Sequence, residues 1–70
     1  MLYKMINREE TEAETLLTRL AEMERYIENY DSVAIGYKTS TYVEFKADTE
    51  DIKSITARAR TFMLEVEELK

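Results

Sequence analysis

The sequence contains no cysteine, no histidine and no proline, and it has a single glycine, Gly36. Without cysteine or histidine, the chain cannot form disulfides, thiolate zinc sites or imidazole metal sites. It also lacks the residues that most often serve as catalytic nucleophile and general base near neutral pH. One isolated glycine cannot build a glycine-rich phosphate loop. We therefore expect a protein that is not an enzyme and has no cofactor.

Long apolar segments are also missing. No apolar run approaches the roughly 20 residues that a membrane-spanning helix requires. The apolar start, residues 1–6, is too short for a signal peptide and is soon followed by charged residues. The sequence therefore predicts no membrane association and a cytoplasmic location.

The charge balance is acidic, with 15 acidic and 10 basic side chains and a net charge of −5. Binding to a phosphate backbone needs a basic surface, so we expect no direct nucleic-acid binding. A basic protein partner is compatible with this charge, as is mimicry of nucleic acid. Seventy residues correspond to a single domain, 1–70, whose core supplies only about 3–5 kcal/mol. Self-association or very regular helix packing remains as the source of further stability; we favour self-association and predict a homo-oligomer.

Two segments repeat apolar residues at steps of three and four, which is the period of an amphipathic helix. The first spans about 7–30, where Asn7 and Glu10 fit a capping box. The second spans about 49–69, where Asp48 is the expected N-cap. The repeating residues are Ala13, Leu16, Leu20, Met23, Ile27 and Tyr30 in the first segment, and Ile52, Ile55, Ala59, Phe62, Val66 and Leu69 in the second.

Between these segments the apolar period drops to two, which predicts a β-hairpin with strands at about 33–38 and 42–47. An odd-numbered loop centred on Ser40 places all apolar side chains on one face, because facing residues of an antiparallel pair share a face. This register pairs Tyr37 with Val43, Ile35 with Phe45, and Val33 with Ala47. Gly36 within the first strand indicates a bulge or a close approach of another backbone.

The predicted fold is α+β, a small α-β-β-α domain in which two long amphipathic antiparallel helices flank the hairpin. An isolated hairpin leaves unpaired edges. We therefore expect a homodimer that forms through the hairpin edge or through the helices.

The leading functional hypothesis is a non-enzymatic protein-interaction module. Its predicted partner-binding residues are four carboxylates of the first helix and two hairpin tyrosines, whose large rings and polar tips suit interfaces. A rod of carboxylates could imitate a phosphate backbone. Short acidic chains without metal or thiol are typical of phage-type inhibitors of host machinery, including defence systems. The residues are Glu10, Glu14, Glu24, Glu28, Tyr37 and Tyr42.

An alternative hypothesis is an oligomer that sequesters a small anionic, nucleotide-like ligand at a subunit interface. Tyrosine can stack on a base, and lysine or arginine can hold its phosphate. The candidate anion-binding residues are Lys38, Lys46, Arg58 and Arg60.

Overall fold

The structure, a computed structural model, describes residues 1–69, which form two helices and one four-stranded antiparallel sheet. The strand order is β2-β3-β1-β4. This arrangement consists of two interleaved β-α-β units and is the ferredoxin-like topology. The elements are β1 (Leu2–Asn7), α1 (Ala13–Ile27), β2 (Ala34–Lys38), β3 (Tyr42–Lys46), α2 (Asp51–Thr61) and β4 (Leu64–Leu69).

The α+β class and the antiparallel hairpin are confirmed, but the prediction of two long helices flanking that hairpin is wrong. The helices have 15 and 11 residues. Strand β1 precedes α1 in a segment for which the sequence predicts no element, and strand β4 replaces the end of the predicted second helix. The added strands β1 and β4 extend the hairpin into a sheet, which replaces the expected α-β-β-α arrangement.

The first overlooked strand is β1, which lies at the centre of the sheet between β3 and β4. Tyr3 and Met5 are buried on one face, and the residues between them point to the other. Because β1 pairs with β3, one of the two hairpin edges is covered within the chain, whereas the outer edge of β2 is an edge of the sheet. The predicted capping box is also wrong, since Asn7 ends β1 and its side-chain amide donates to the Glu9 carbonyl.

The second overlooked strand follows an early end of the C-terminal helix. Met63 has a φ of 59°, and it is the one non-glycine residue with positive φ in the part of the chain that the structure describes. The Phe62 and Met63 amides donate to the Ala59 and Arg60 carbonyls, which closes the last turn of α2. The chain then reverses into β4. At the other end of this helix the N-cap position falls on Glu50 rather than on the predicted Asp48. Asp48 Oδ1 nevertheless accepts the Glu50 and Asp51 backbone amides, as a capping side chain does.

Replacing Met63 with glycine is expected to raise the free energy of unfolding by about 0.5–1 kcal/mol. Positive φ costs a residue with a Cβ about 1–2 kcal/mol, whereas glycine costs about 0.5–1 kcal/mol through backbone entropy. The Met63 side chain is 42% exposed, so little packing is lost. Urea unfolding followed by circular dichroism measures the change. Ala57→Gly, at an exposed position inside α2, is the control and should lower stability by about 1 kcal/mol. A similar loss of stability for Met63→Gly would contradict the assigned turn.

The hairpin has the predicted register at its base, where Ile35 pairs with Phe45. The loop itself differs from the prediction. The Thr39 amide donates to the Tyr42 carbonyl at 2.9 Å, which leaves a two-residue loop of 40–41 rather than an odd-numbered one. The Thr39 hydroxyl also accepts the Tyr42 amide at 3.1 Å. A threonine hydroxyl that accepts hydrogen bonds from nearby backbone amides favours such a turn even though the turn contains no glycine.

A β-bulge reconciles this loop with the predicted register. Lys38, not Tyr37, pairs with Val43, and the register shifts between Ile35 and Lys38. Three steps along β2 therefore match two along β3, so β2 contains one extra residue near Gly36. The bulge that the isolated glycine indicated is confirmed, and it turns Tyr37 away from the helices.

Both helices pack on the same face of the sheet, because their buried residues and those of the strands form one apolar cluster. Four α1 residues and two α2 residues are buried in it. No polar or charged residue among those that the structure describes is buried. The second face of the sheet carries neither α1 nor α2. The cluster contains Tyr3, Met5, Leu16, Leu20, Met23, Ile27, Val43, Phe45, Ala47, Ile55, Ala59 and Leu64.

Candidate functional site: the open face of the sheet

The sheet face opposite the helices, here called the open face, is built by the residues that alternate with the buried core positions. Strand pairing places paired residues on the same face, so the register assigns all of them except Tyr37. Tyr37 lies in the bulge and is placed on this face by its ring contact with Tyr42. Its side chains are Leu2, Lys4 and Ile6 of β1, Ala34 and Tyr37 of β2, Tyr42, Glu44 and Lys46 of β3, and Glu65, Glu67 and Leu69 of β4.

An aromatic cluster occupies the β1–β3–β2 part of the open face. The Tyr37 and Tyr42 rings have centroids 6.2 Å apart, a tilted aromatic contact. Lys4 Nζ lies 5.0 Å from the Tyr42 centroid, within cation–π distance. Tyr37 is 65% exposed, so its ring has most of its surface free for a further contact. The two tyrosines predicted as contact residues are therefore brought together.

Apolar side chains continue this cluster along the central strand. Ile6 pairs directly with Tyr42 and is half-buried. Leu2 is 37% exposed and pairs with Leu69 of β4. The open face therefore combines aromatic and aliphatic groups near its middle. Such composition is typical of the central part of a protein interface.

The charges of the open face are mixed, with a small acidic excess. It carries the carboxylates of Glu44, Glu65 and Glu67 and the ammonium groups of Lys4 and Lys46, which gives three negative and two positive charges. Glu65 and Glu67, the two β4 carboxylates on this face, are both exposed. One side of the open face is therefore acidic, next to the aromatic cluster.

The β1 contribution to this face is not predicted from the sequence. The sequence pattern predicts no helix or strand in residues 1–6, so Leu2, Lys4 and Ile6 are not among the predicted contact residues. In the structure the burial alternates along β1, with Tyr3 and Met5 buried. Leu2 and Ile6 on the other face are also apolar, so the residue types do not alternate as they do in most half-exposed strands.

The four predicted acidic contact residues do not form one continuous surface. Glu10 precedes α1, Glu14 lies in its first turn and Glu28 follows its last residue. Arg25 comes eleven residues after Glu14, about three helical turns, so both lie on the same helix face. A basic side chain therefore interrupts the row of carboxylates.

Glu24 and Lys38, which were assigned to different predicted sites, contact each other. Lys38 Nζ lies 3.1 Å from Glu24 Oε1, joining β2 to α1 across the helix side of the sheet. Such a surface pair contributes about 1 kcal/mol or less. It lines a small groove of about 220 Å³ together with Leu17 and Val43. Neither charge is therefore free to act alone at the site predicted for it.

The remaining predicted anion-binding residues are also separated. Lys46 lies on the open face, whereas Arg58 lies on α2, on the opposite side of the sheet. Arg58 lines a cleft of about 450 Å³ between the helices, and Arg60 is exposed outside it. The four predicted cations therefore do not converge on one pocket.

A pair of tyrosines supports the wall of that cleft. The Tyr26 and Tyr30 hydroxyls lie 2.9 Å apart and are hydrogen-bonded. This hydrogen bond with Tyr26, together with burial, raises the pKa of the Tyr30 hydroxyl above its usual value.

Within residues 1–69, no group of three or more histidine, cysteine, aspartate or glutamate side chains converges to hold a metal ion. The same part of the chain includes no helix that is both long and apolar enough to span a bilayer.

No model of a protein family, no curated protein and no solved structure matches this chain. The ferredoxin-like topology carries many unrelated functions in proteins generally, so it does not assign one here.

Proposed function

We propose that this protein is a non-enzymatic binding module that uses the open face of its sheet to hold a protein partner. The observation that carries the proposal is the aromatic and aliphatic cluster on a sheet face that neither helix covers. Exposed apolar patches of this kind mark interaction sites more often than isolated exposed residues do. Tyr37 and Leu2 are its most accessible apolar members.

A protein is the partner that the charge of the open face favours. Aromatic side chains on a four-stranded sheet can also stack on the bases of single-stranded RNA. However, phosphate binding requires an excess of positive charge, whereas this face has three carboxylates against two lysines. The acidic β4 side instead fits a partner that has an apolar centre and basic residues along one rim.

The more specific functions predicted from the sequence are compatible with this proposal. A binding module of this size suits a phage-type inhibitor, which blocks host machinery by occupying a surface. Mimicry of nucleic acid through Glu10 and Glu14 is the competing mechanism for the same function, and the experiment below separates the two. Self-association also stays a prediction; β2 and β4 are the strands whose outer edges could pair across a two-fold axis.

The experiment places a photo-crosslinking residue on the open face and identifies the protein that it captures. Tyr37→benzoylphenylalanine should crosslink one partner, because position 37 lies at the exposed part of the cluster. Binding of that purified partner is then measured by titration calorimetry. Tyr37→Ala should weaken it about 30-fold, which corresponds to a hot spot of about 2 kcal/mol.

Leu17 provides the matched control, since it is 54% exposed but lies on α1, on the helix side. Benzoylphenylalanine at position 17 should not capture the partner, and Leu17→Ala should leave the affinity unchanged. Loss of binding on reversing Glu10 and Glu14 to lysine, with Tyr37→Ala unaffected, would favour mimicry and overturn binding through the open face.

A further inference from the structure

The cleft between the two helices has a composition that the acidic excess of the chain does not predict. It is lined by Arg25, Tyr26 and Asn29 from α1 and the turn after it, and by Arg58 and Phe62 from α2 and its C-terminal turn. Glu22 is the single acidic residue among its lining groups. Two guanidinium groups from different helices therefore face one concave surface.

Within residues 1–69, neither arginine has a carboxylate oxygen within 4.0 Å. In the described part of the chain the one ion pair within 4.0 Å joins Lys38 to Glu24. Acidic side chains outnumber basic ones by 15 to 10, so a pairing partner is not scarce. Arg25 and Arg58 instead leave their hydrogen-bond donors available to an anion, and five donors in a fixed fork suit a phosphate or carboxylate.

Contacts with the cleft wall pre-orient one of these guanidinium groups. The Arg58 guanidinium carbon lies 5.0 Å from the centroid of the Tyr26 ring, a cation–π contact. The Tyr26 hydroxyl is in turn hydrogen-bonded to the Tyr30 hydroxyl at 2.9 Å. A guanidinium held over a ring keeps the N–H groups at its edge free. Less side-chain entropy is then lost when an anion binds.

We propose that this cleft binds a small aromatic phosphate monoester, of the nucleoside monophosphate class, with Arg25 and Arg58 holding the phosphate. The cleft volume of about 450 Å³ falls within the range of pockets for small organic ligands. Inorganic phosphate would fill only part of it. The Phe62 ring adds an apolar wall that suits a flat base.

The proposed site differs from the alternative considered for the sequence alone. It keeps Arg58 but uses Arg25 in place of Lys38, Lys46 and Arg60, and it lies within one chain rather than at a subunit interface. It is also independent of the open face, because the helices and their cleft lie on the other side of the sheet. Failure of one proposal therefore leaves the other unaffected.

The test is a titration of the whole protein with adenosine 5′-monophosphate, adenosine and inorganic phosphate, followed by amide chemical shifts in NMR spectra. The monophosphate should shift the amides of cleft residues and should bind more tightly than either fragment. Arg58→Gln and Arg25→Gln should each weaken it about tenfold or more, because each removes charge-assisted hydrogen bonds. Arg58→Lys should be intermediate, since it keeps the charge but not the fork.

Arg60→Gln is the matched control, because it removes the same charge from the same helix outside the cleft. It should change affinity by less than about twofold. Equal losses for Arg58→Gln and Arg60→Gln would show non-specific attraction and overturn the proposal. Absence of binding at millimolar monophosphate, or adenosine binding as tightly as its monophosphate, would also overturn it. Circular dichroism verifies folding, and Arg25→Gln, on a different helix, tests the site if Arg58→Gln does not fold.

Discussion

Replacing Phe45 with alanine is expected to lower the free energy of unfolding by about 3–5 kcal/mol. Phe45 is fully buried on β3, where its ring lies 5.8 Å from the Tyr3 ring and packs within the cluster under both helices. The change removes an aromatic side chain and leaves a cavity that surrounding residues fill only partly. A core of this size supplies only about 3–5 kcal/mol, so the substitution removes most of the stability. The variant should therefore unfold well below the midpoint of the unchanged chain in a urea titration.

Phe62→Ala is the matched control for this substitution, since it removes the same side chain from the edge of the core. Phe62 is half-buried after the end of α2. Phe62→Ala should lower the free energy of unfolding by clearly less than Phe45→Ala does. Equal effects of the two changes would contradict the position of Phe45 at the centre of the core.

Met5→Ala is the second substitution with a large expected effect, a loss of about 2–5 kcal/mol. Met5 is fully buried in the central strand, paired with Val43 on one side and Val66 on the other. In the α-β-β-α arrangement expected from the sequence, residue 5 precedes every element, and its substitution would have almost no effect. Urea unfolding of this one variant therefore distinguishes the two folds.

Ile6→Ala serves as the control on the same strand, because Ile6 points to the open face and is half-buried. It should lose less than half as much stability as Met5→Ala. If Met5→Ala unfolds at the same urea concentration as the unchanged protein, β1 does not occupy the centre of the sheet.

Much of the middle of the fold could be predicted from the sequence because its signals are unambiguous. The β-branched and aromatic alternation of residues 33–47 indicated both hairpin strands, and the pairing of Ile35 with Phe45 followed from keeping one face apolar. The core face of the first helix was also predicted, since Leu16, Leu20, Met23 and Ile27 are its buried residues. Here the hydrophobic period, which records burial, agrees with the final structure.

The end of the chain could not be assigned in the same way, because its spacing fits two periods. Val66 and Leu69 continue the helical steps of three and four, yet Leu64 and Val66 also alternate as a strand requires. No glycine or proline marks the boundary. The left-handed conformation falls on Met63, a residue type in which it is uncommon, so the stop depends on tertiary pairing with β1 rather than on local preference.

The candidate site was predicted only in part for a related reason. Tyr37 and Tyr42 were identified from their residue type, which interfaces favour. The bulge that turns Tyr37 toward Tyr42 and the strand that supplies Lys4 and Ile6 are consequences of pairing between distant segments. The predicted acidic binding surface on the first helix is less extensive than expected. A count of charges in the sequence does not show that Glu24 forms an ion pair with Lys38.

The central position of β1 also constrains the order in which the molecule assembles. Leu2 pairs with Lys46 and with Leu69, so its two neighbours are distant in sequence. Closing such long loops costs entropy before any contact is gained, which slows folding. The hairpin and the two helices depend on nearby residues and should form early. Insertion of β1 between β3 and β4 is then the late step that completes both the core and the open face.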